Sequence, residues 1–419
     1  VPEFAHPASD GGGTGQKTVH ADECFAASGR KRYEWPESLF RRIGMNALLP
    51  DIDPDGLREY SVVFTDRSLN HMSRTFQTVM RDISAMLKEV YNADEVAVIP
   101  GGGTYAMEAV ARQIAVDRKA MVIRNGFFSY RWSQIFEAGS IPSEEIVLTA
   151  RRTGNAPDAP FAPVPIGEVT ARIASEKPDA VFAPHVETAS GIILPDDYMK
   201  AVSEAVHAHG GVFVLDCIAS GCAWVDMMAV GADILISAPQ KGWSSQPCAG
   251  LVMMNETAAE RVKAAESTSF AADLRKWLSI METYEKGGHA YHATMPTDAL
   301  RVFRDAMVET RDYGLGKLRH AQWEQGGRVR TALARRGVKS VAAEGFAAPG
   351  VVVGFTDDPE IQSGAKFAAL GVQIAAGVPL MCGEGSDYRS FRLGLFGLDK
   401  LGDVDASVAR LEAAMDQVF

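Results

Sequence analysis

Between residues 96 and 255 short apolar runs alternate with helical segments, and this alternation limits the chain to few folds. VAVIP (96–100), AMVIRN (120–125), EEIVLTA (144–150), AVFAPH (180–185), VFVLDC (212–217), DILISAP (233–239) and GLVMMN (250–255) read as buried strands. Helical segments lie between most of them, opening at GGGT (101–104) and FFSYRW (127–132) and spanning 166–175 and 195–209. Strands and helices in turn predict an α/β domain built on a mostly parallel, seven-stranded sheet with helices on both faces. Such a sheet collects the carboxyl ends of its strands along one rim, where ligands bind. At 419 residues the chain is too long for one small core, so two domains are expected.

The flanking regions differ in character. Residues 1–33, rich in Gly and Pro at their start, are expected to be a flexible N-terminal segment. EWPESLFRRIGMNALL (34–49) carries a short amphipathic pattern, and YSVVFTD (60–66) reads as a strand. From Met72 to Tyr91, apolar residues at offsets of three and four predict a helix. A long helix is expected over 297–336, followed by short strands (VVVGF, FRLGLF) and two helices. The predicted division is a large α/β domain over 34–299 and a small C-terminal α+β domain over 300–419.

Charge and cysteine content exclude several functions. A net charge of −11 argues against a nucleic-acid partner, and no basic tract suggests a membrane surface. The five cysteines are odd in number and lack metal-ligand spacing, as expected for reduced thiols in a cytoplasmic protein. No apolar run reaches transmembrane length, and the first residues lack a signal-peptide core.

Several residues at the predicted rim can carry chemistry. Lys241 follows the strand DILIS by a few residues, after Pro239 has ended it. A lysine desolvated there loses basicity, and its free amine can form a Schiff base. Asp216 closes VFVLD, where it either caps the next turn or keeps a heterocyclic nitrogen protonated. Gly101-Gly102-Gly103-Thr104 lies between a strand and a helix start, suited either to tight packing or to a phosphate. It is neither a nucleoside-triphosphate loop nor a dinucleotide fingerprint. His185 and Thr188 follow another strand; Phe127 and Phe128 are core residues or covers for a flat ring. Arg392, inside the apolar run FRLGLF, calls for a salt bridge or a two-point grip on a carboxylate.

Taken together these segments resemble the class V, fold type I pyridoxal-phosphate enzymes, and within them the alanine–glyoxylate and serine–glyoxylate aminotransferase group. The resemblance runs from about Asn70 to the C-terminus. It is carried by NHMSRTF, GGGTYAMEA, NGFFSYRW, HVETASG, LDCIASG, SAPQKGW, YHATMP and FRLGLFG, in that order. It implies pyridoxal 5'-phosphate as cofactor, held by Gly102, Gly103, Thr104, Phe128, Thr188, Asp216, Ile218, Gln240 and Lys241. Tyr291 and Thr294 are then expected to reach the phosphate of a neighbouring subunit, which implies a homodimer. Lys241 carries the cofactor as a Schiff base, Asp216 holds the ring nitrogen protonated, and Arg392 binds the substrate carboxylate. The implied reaction is ping-pong transamination from a small amino acid to a 2-oxo acid such as glyoxylate or pyruvate.

The chain departs from the family pattern in places. YSVVFTDRSLNH stands where a Gly-Pro loop usually lines the substrate pocket, and Pro239 replaces a small residue before Gln240-Lys241. Trp243 is expected to narrow the entrance. Arg67, Arg74, Arg131 and Arg389 are candidates for selecting an acidic, phosphonate or sulfonate substrate. Two other readings compete: a lyase or desulfurase of the same fold, with Cys382 as its thiol, and a sheet domain that only binds a ligand.

Overall fold

The computed structural model describes residues 52–53, 56–65 and 67–419. The expectations for residues 1–33 and for the amphipathic stretch 34–49 lie outside the described residues. Residues Asp51–Phe419 form one compact unit.

Its centre is a seven-stranded sheet. The strands are β1 (Glu95–Pro100), β2 (Lys119–Arg124), β3 (Glu144–Thr149), β4 (Ala180–Pro184), β5 (Val212–Asp216), β6 (Ile234–Ser237) and β7 (Ala249–Met254), in the order β1-β7-β6-β5-β4-β2-β3. Pairing is parallel from β6 through β3 and antiparallel where β7 meets β6 and β1. The sheet is mostly parallel, as its continuous apolar runs require: β4, β5, β6 and β7 are buried along their whole length. In register, Pro184 lies beside Asp216 and Asp216 beside Ile236. The residues after β4, β5 and β6 therefore emerge together at one rim.

The helices that matter for the site are α1 (Arg74–Tyr91), α2 (Gly103–Ile114) and α3 (Phe127–Gly139). α1 starts at Ser73, whose hydroxyl accepts from Phe76 N, and buries the predicted face through Phe76, Val79, Met80, Ile83 and Leu87. α2 follows β1 through Gly101, whose φ of +122° excludes most side chains. α3 follows β2 through Asn125-Gly126.

Two expectations are corrected. The described residues 60–65 form no strand: Tyr60 and Val62 are fully exposed and only Phe64 is buried, so the apolar run finds no partner strand. The long helix is two, α4 (Thr297–Tyr313) and α5 (Leu315–Arg335), broken where Gly314 adopts φ +111°. A three-stranded sheet follows, made of β8 (Val351–Phe355), β9 (Ala375–Ala376) and β10 (Ser390–Gly394), with β10 central. Arg392 sits on that central strand, opposite Val353 on one side and Ala375 on the other.

Candidate active site

A cavity of about 450 Å³ opens at the rim of the large sheet. Gly103, Thr104, Phe128, Thr188, Asp216, Ile218, Gln240, Lys241 and Arg392 all line it. These residues span almost 300 positions of sequence, and the strand order accounts for their meeting: Asp216 ends β5, and Thr188 and Lys241 follow its two parallel neighbours, β4 and β6. Gly102 is the N-cap of α2, just outside the lining. Tyr291 and Thr294 lie away from this cavity in their own chain; their hydroxyls are 3.1 Å apart and Tyr291 is half exposed.

Lys241 is the amine of the cavity. Burial lowers its pKa, and the neighbouring Arg392 charge lowers it further. Its Nζ stands 5.2 Å from the ring centroid of Phe396. The turn that carries it is backed by aromatic packing: Trp243 is fully buried, with Trp224 at 4.9 Å and Tyr91, Phe303 edge-on beyond. Trp243 thus supports the turn from behind and does not narrow the entrance. The Tyr91 and Ser237 hydroxyls, 2.9 Å apart, tie α1 to the end of β6.

Asp216 is the carboxylate. Only 8% of its surface is exposed, and Oδ1 accepts from Ile218 N at 2.9 Å. Desolvation pushes its pKa up to about 7; the Ile218 amide and the Arg131 charge oppose this, and Glu187 adds to it. An acid of this kind gains most from a ligand that brings it a proton-bearing nitrogen.

Phe128 is placed by a residue whose role the sequence did not reveal. Glu187, with no exposed surface, accepts from Phe128 N at 3.1 Å, Ser129 N at 2.8 Å, Ser129 Oγ at 2.6 Å and Ala189 N at 2.9 Å. Its carboxylate caps α3 at the positive end of the helix dipole. Ser129 Oγ also receives the Asn125 and Gly126 amides. Arg392 hydrogen-bonds through Nε to Ala376 O at 2.8 Å, its only hydrogen bond among the described residues, which leaves the terminal nitrogens free.

Other candidates fall outside the cavity. His185 is buried, with Nδ1 2.7 Å from Ser220 Oγ, and burial lowers its pKa to about 3. It is a packed, neutral histidine. Cys382 points its thiol at the carbonyls of Arg124 and Leu380, and burial pushes its pKa up to about 12. Arg131 does line the cavity, as do Met107, Val351, Ala375 and Phe396, which sequence reasoning missed. They come from elements with no polar signature, and only the Arg392 strand pointed to Phe396.

Comparison with known proteins extends this picture. No family model matches the chain. It is 29% identical over 332 residues to a 2-aminoethylphosphonate–pyruvate transaminase of Syntrophobacter fumaroxidans, covering 77% of this chain and 84% of that one. It is 26% identical over 275 residues to alanine–glyoxylate aminotransferase 1 of Saccharomyces cerevisiae, covering 61% and 67%. Among solved structures, an alanine–glyoxylate aminotransferase from Nostoc matches with a TM-score of 0.71 at 19% identity, covering 84% and 89%. The fold is that of the class V, fold type I aminotransferases, a family that uses pyridoxal phosphate. The chain is a homologue of its phosphonate–pyruvate and alanine–glyoxylate transaminases.

The residues present fit that coenzyme. A Cβ on Gly103 would lie 2.4 Å from Ile218 Cδ1, so glycine lets the start of α2 come close to the cavity floor. Among the described residues Gln240 Oε1 is buried without a partner. Asp216 and Phe128 supply, respectively, an acceptor for a ring nitrogen and a flat apolar surface for a ring.

Proposed function

We propose that the chain is a pyridoxal 5'-phosphate-dependent aminotransferase that passes an amino group from a small amino acid, or a phosphonate or sulfonate analogue, to a 2-oxo acid such as glyoxylate or pyruvate. One observation carries this reading: a desolvated amine and a desolvated carboxylate, Lys241 and Asp216, line one cavity with an arginine free to bind an acid. The coenzyme supplies an aldehyde for amine capture and a conjugated ring that accepts the electron pair left at the substrate's α-carbon.

The chain's own residues do the rest. Lys241, made less basic by burial and by Arg392, would offer its amine for covalent attachment, then take the proton from the substrate Cα and deliver it to the carbon that was the coenzyme's aldehyde. Asp216 holds a proton on the ring nitrogen. Phe128 and Ile218 cover the ring and exclude water. Gly102, Gly103, Thr104 and Gln240 receive the phosphate at the start of α2, where amides are free. Thr188 donates to the ring oxygen. Arg392 fixes the substrate's acid group with its two free terminal nitrogens. In this reading residues 34–299 bind the coenzyme and residues 300–419 bring Arg392. Tyr291 and Thr294 complete the phosphate site of a second copy, so the active form is a homodimer, acting in the cytoplasm.

The test is spectroscopic. Coenzyme-loaded protein should lose its near-visible absorbance on addition of an amino donor and regain it on addition of glyoxylate or pyruvate. Lys241→Ala should bind the coenzyme but show no such cycle. Product release without any acceptor would favour a lyase and overturn the assignment. The sheltered, protonated Cys382 gives that alternative no support.

A further inference from the structure

The cavity contains two guanidiniums, and the reaction outlined above uses one. Arg131 lies one turn after Phe128 on α3. Its Nη1 donates to Thr104 Oγ1 at 3.1 Å, in the first turn of α2. The guanidinium carbons of Arg131 and Arg392 stand 5.8 and 5.3 Å from the centroid of the same Phe128 ring. Among the described residues neither arginine has a carboxylate within 4.0 Å. Asp216 lies within reach of the Arg131 charge and Glu187 within reach of Arg392, yet neither arginine is ion-paired, so both keep donors for an anion brought by a ligand.

Their surroundings differ. Arg131 points at the start of α2, where Gly102 caps the helix with no side chain. The Gly103 and Thr104 amides lie in the unpaired first turn of that helix. Across the same cavity lies Asp216, buried and, among the described residues, hydrogen-bonded only through Oδ1. The pocket is thus built for a molecule with an anion at one end and a proton-bearing nitrogen at the other. Arg392 instead hangs from β10 beside Val351 and Ala375, with the Glu187 and Lys241 charges within reach.

We propose that Arg131 is the charged anchor of the coenzyme's phosphate, which leaves Arg392 as the single cation for the substrate. This rests on the coenzyme reading of the cavity. It narrows the substrate to molecules with one anionic group, because Arg392 is then the one arginine of the cavity lining left for it.

The experiment titrates wild type and Arg131→Gln with pyridoxal 5'-phosphate and with pyridoxal, which lacks the phosphate. Binding is read by the absorbance of the lysine-linked coenzyme. Arg131→Gln should raise the Kd for the phosphorylated compound by about ten- to a hundredfold, the effect of losing a charge-assisted pair. The Kd for pyridoxal should stay within about twofold. Equal weakening of both compounds overturns the proposal. So does an unchanged Kd for the phosphorylated compound together with weaker inhibition by malonate, which would put Arg131 on the substrate side.

Should that variant not fold, phenylglyoxal labelling of wild type decides, with the modified arginine located by mass spectrometry. Pyridoxal 5'-phosphate or inorganic phosphate should protect Arg131 and pyridoxal should not. Labelling of Arg131 at one rate throughout overturns the proposal. If wild type gains no absorbance with either compound, the coenzyme reading itself fails, and that outcome is distinct from the others.

Discussion

Replacing Asp216 by Asn should stabilise the empty protein and weaken the loaded one. The carboxyl's pKa rises from 3.8 to about 7 because folding strips its water and returns one amide hydrogen bond, from Ile218. A folded-state pKa above the unfolded one means that ionisation costs the fold free energy. The cost is absent below pH 3.8, grows through the interval, and is complete above pH 7. Its full size is about 4 kcal/mol, as an upper bound. Asn keeps the oxygen that accepts from Ile218 and never ionises. The stability difference between variant and wild type should therefore grow by about 2–3 kcal/mol from about pH 5 to about pH 8 and then level off. At roughly 2 cal/mol/K of unfolding entropy per residue, the full effect is a Tm gain of about 5 °C. Calorimetry of the coenzyme-free proteins across that range measures it, and the pH slope is independent of any fixed cost of the substitution. With saturating coenzyme the order should reverse, since Asn cannot hold a charged ring nitrogen. A pH-independent difference between the empty proteins would refute the desolvated-carboxylate argument.

Two further expectations concern residues around the site. Glu187→Gln should cost about 3 kcal/mol in urea unfolding, because the amide's NH2 faces donors that now bind a carboxylate; a loss under about 1 kcal/mol would show that α3 does not depend on that cap. The homodimer reading expects Tyr291→Phe combined with Thr294→Val to weaken coenzyme binding severalfold while the protein sediments as wild type does. A wild-type monomer active at assay concentration contradicts it.

Much of this arrangement was legible in the sequence because it follows from short-range pattern. The run VFVLD must be a buried strand, and a carboxylate at its end must emerge at the rim; the same holds for DILIS and Lys241. Other features depend on distant partners. Glu187 reads as one acidic residue in HVETASG, and its meaning appears only when Phe128 and Ser129, 59 and 58 positions earlier, arrive at its oxygens. YSVVFTD has the composition of a strand but no neighbour with which to pair. The break at Gly314 was hidden because the helical spacing resumes at once, and only the backbone angle shows it. Trp243, two residues after Lys241, suggested an entrance residue, yet the turn over residues 239–243 sends its side chain into the core against Trp224, Tyr91 and Phe303.

That inward turn bears on how the lysine performs. Four large rings seat the peptide under Lys241, so few backbone arrangements are open to it before any ligand arrives. The disorder that a floppy loop would surrender on each turnover has already been given up when the protein folds. The amine is left with little freedom beyond its own four-carbon arm, a tether short enough to swing between two bonding partners and too short to wander from them.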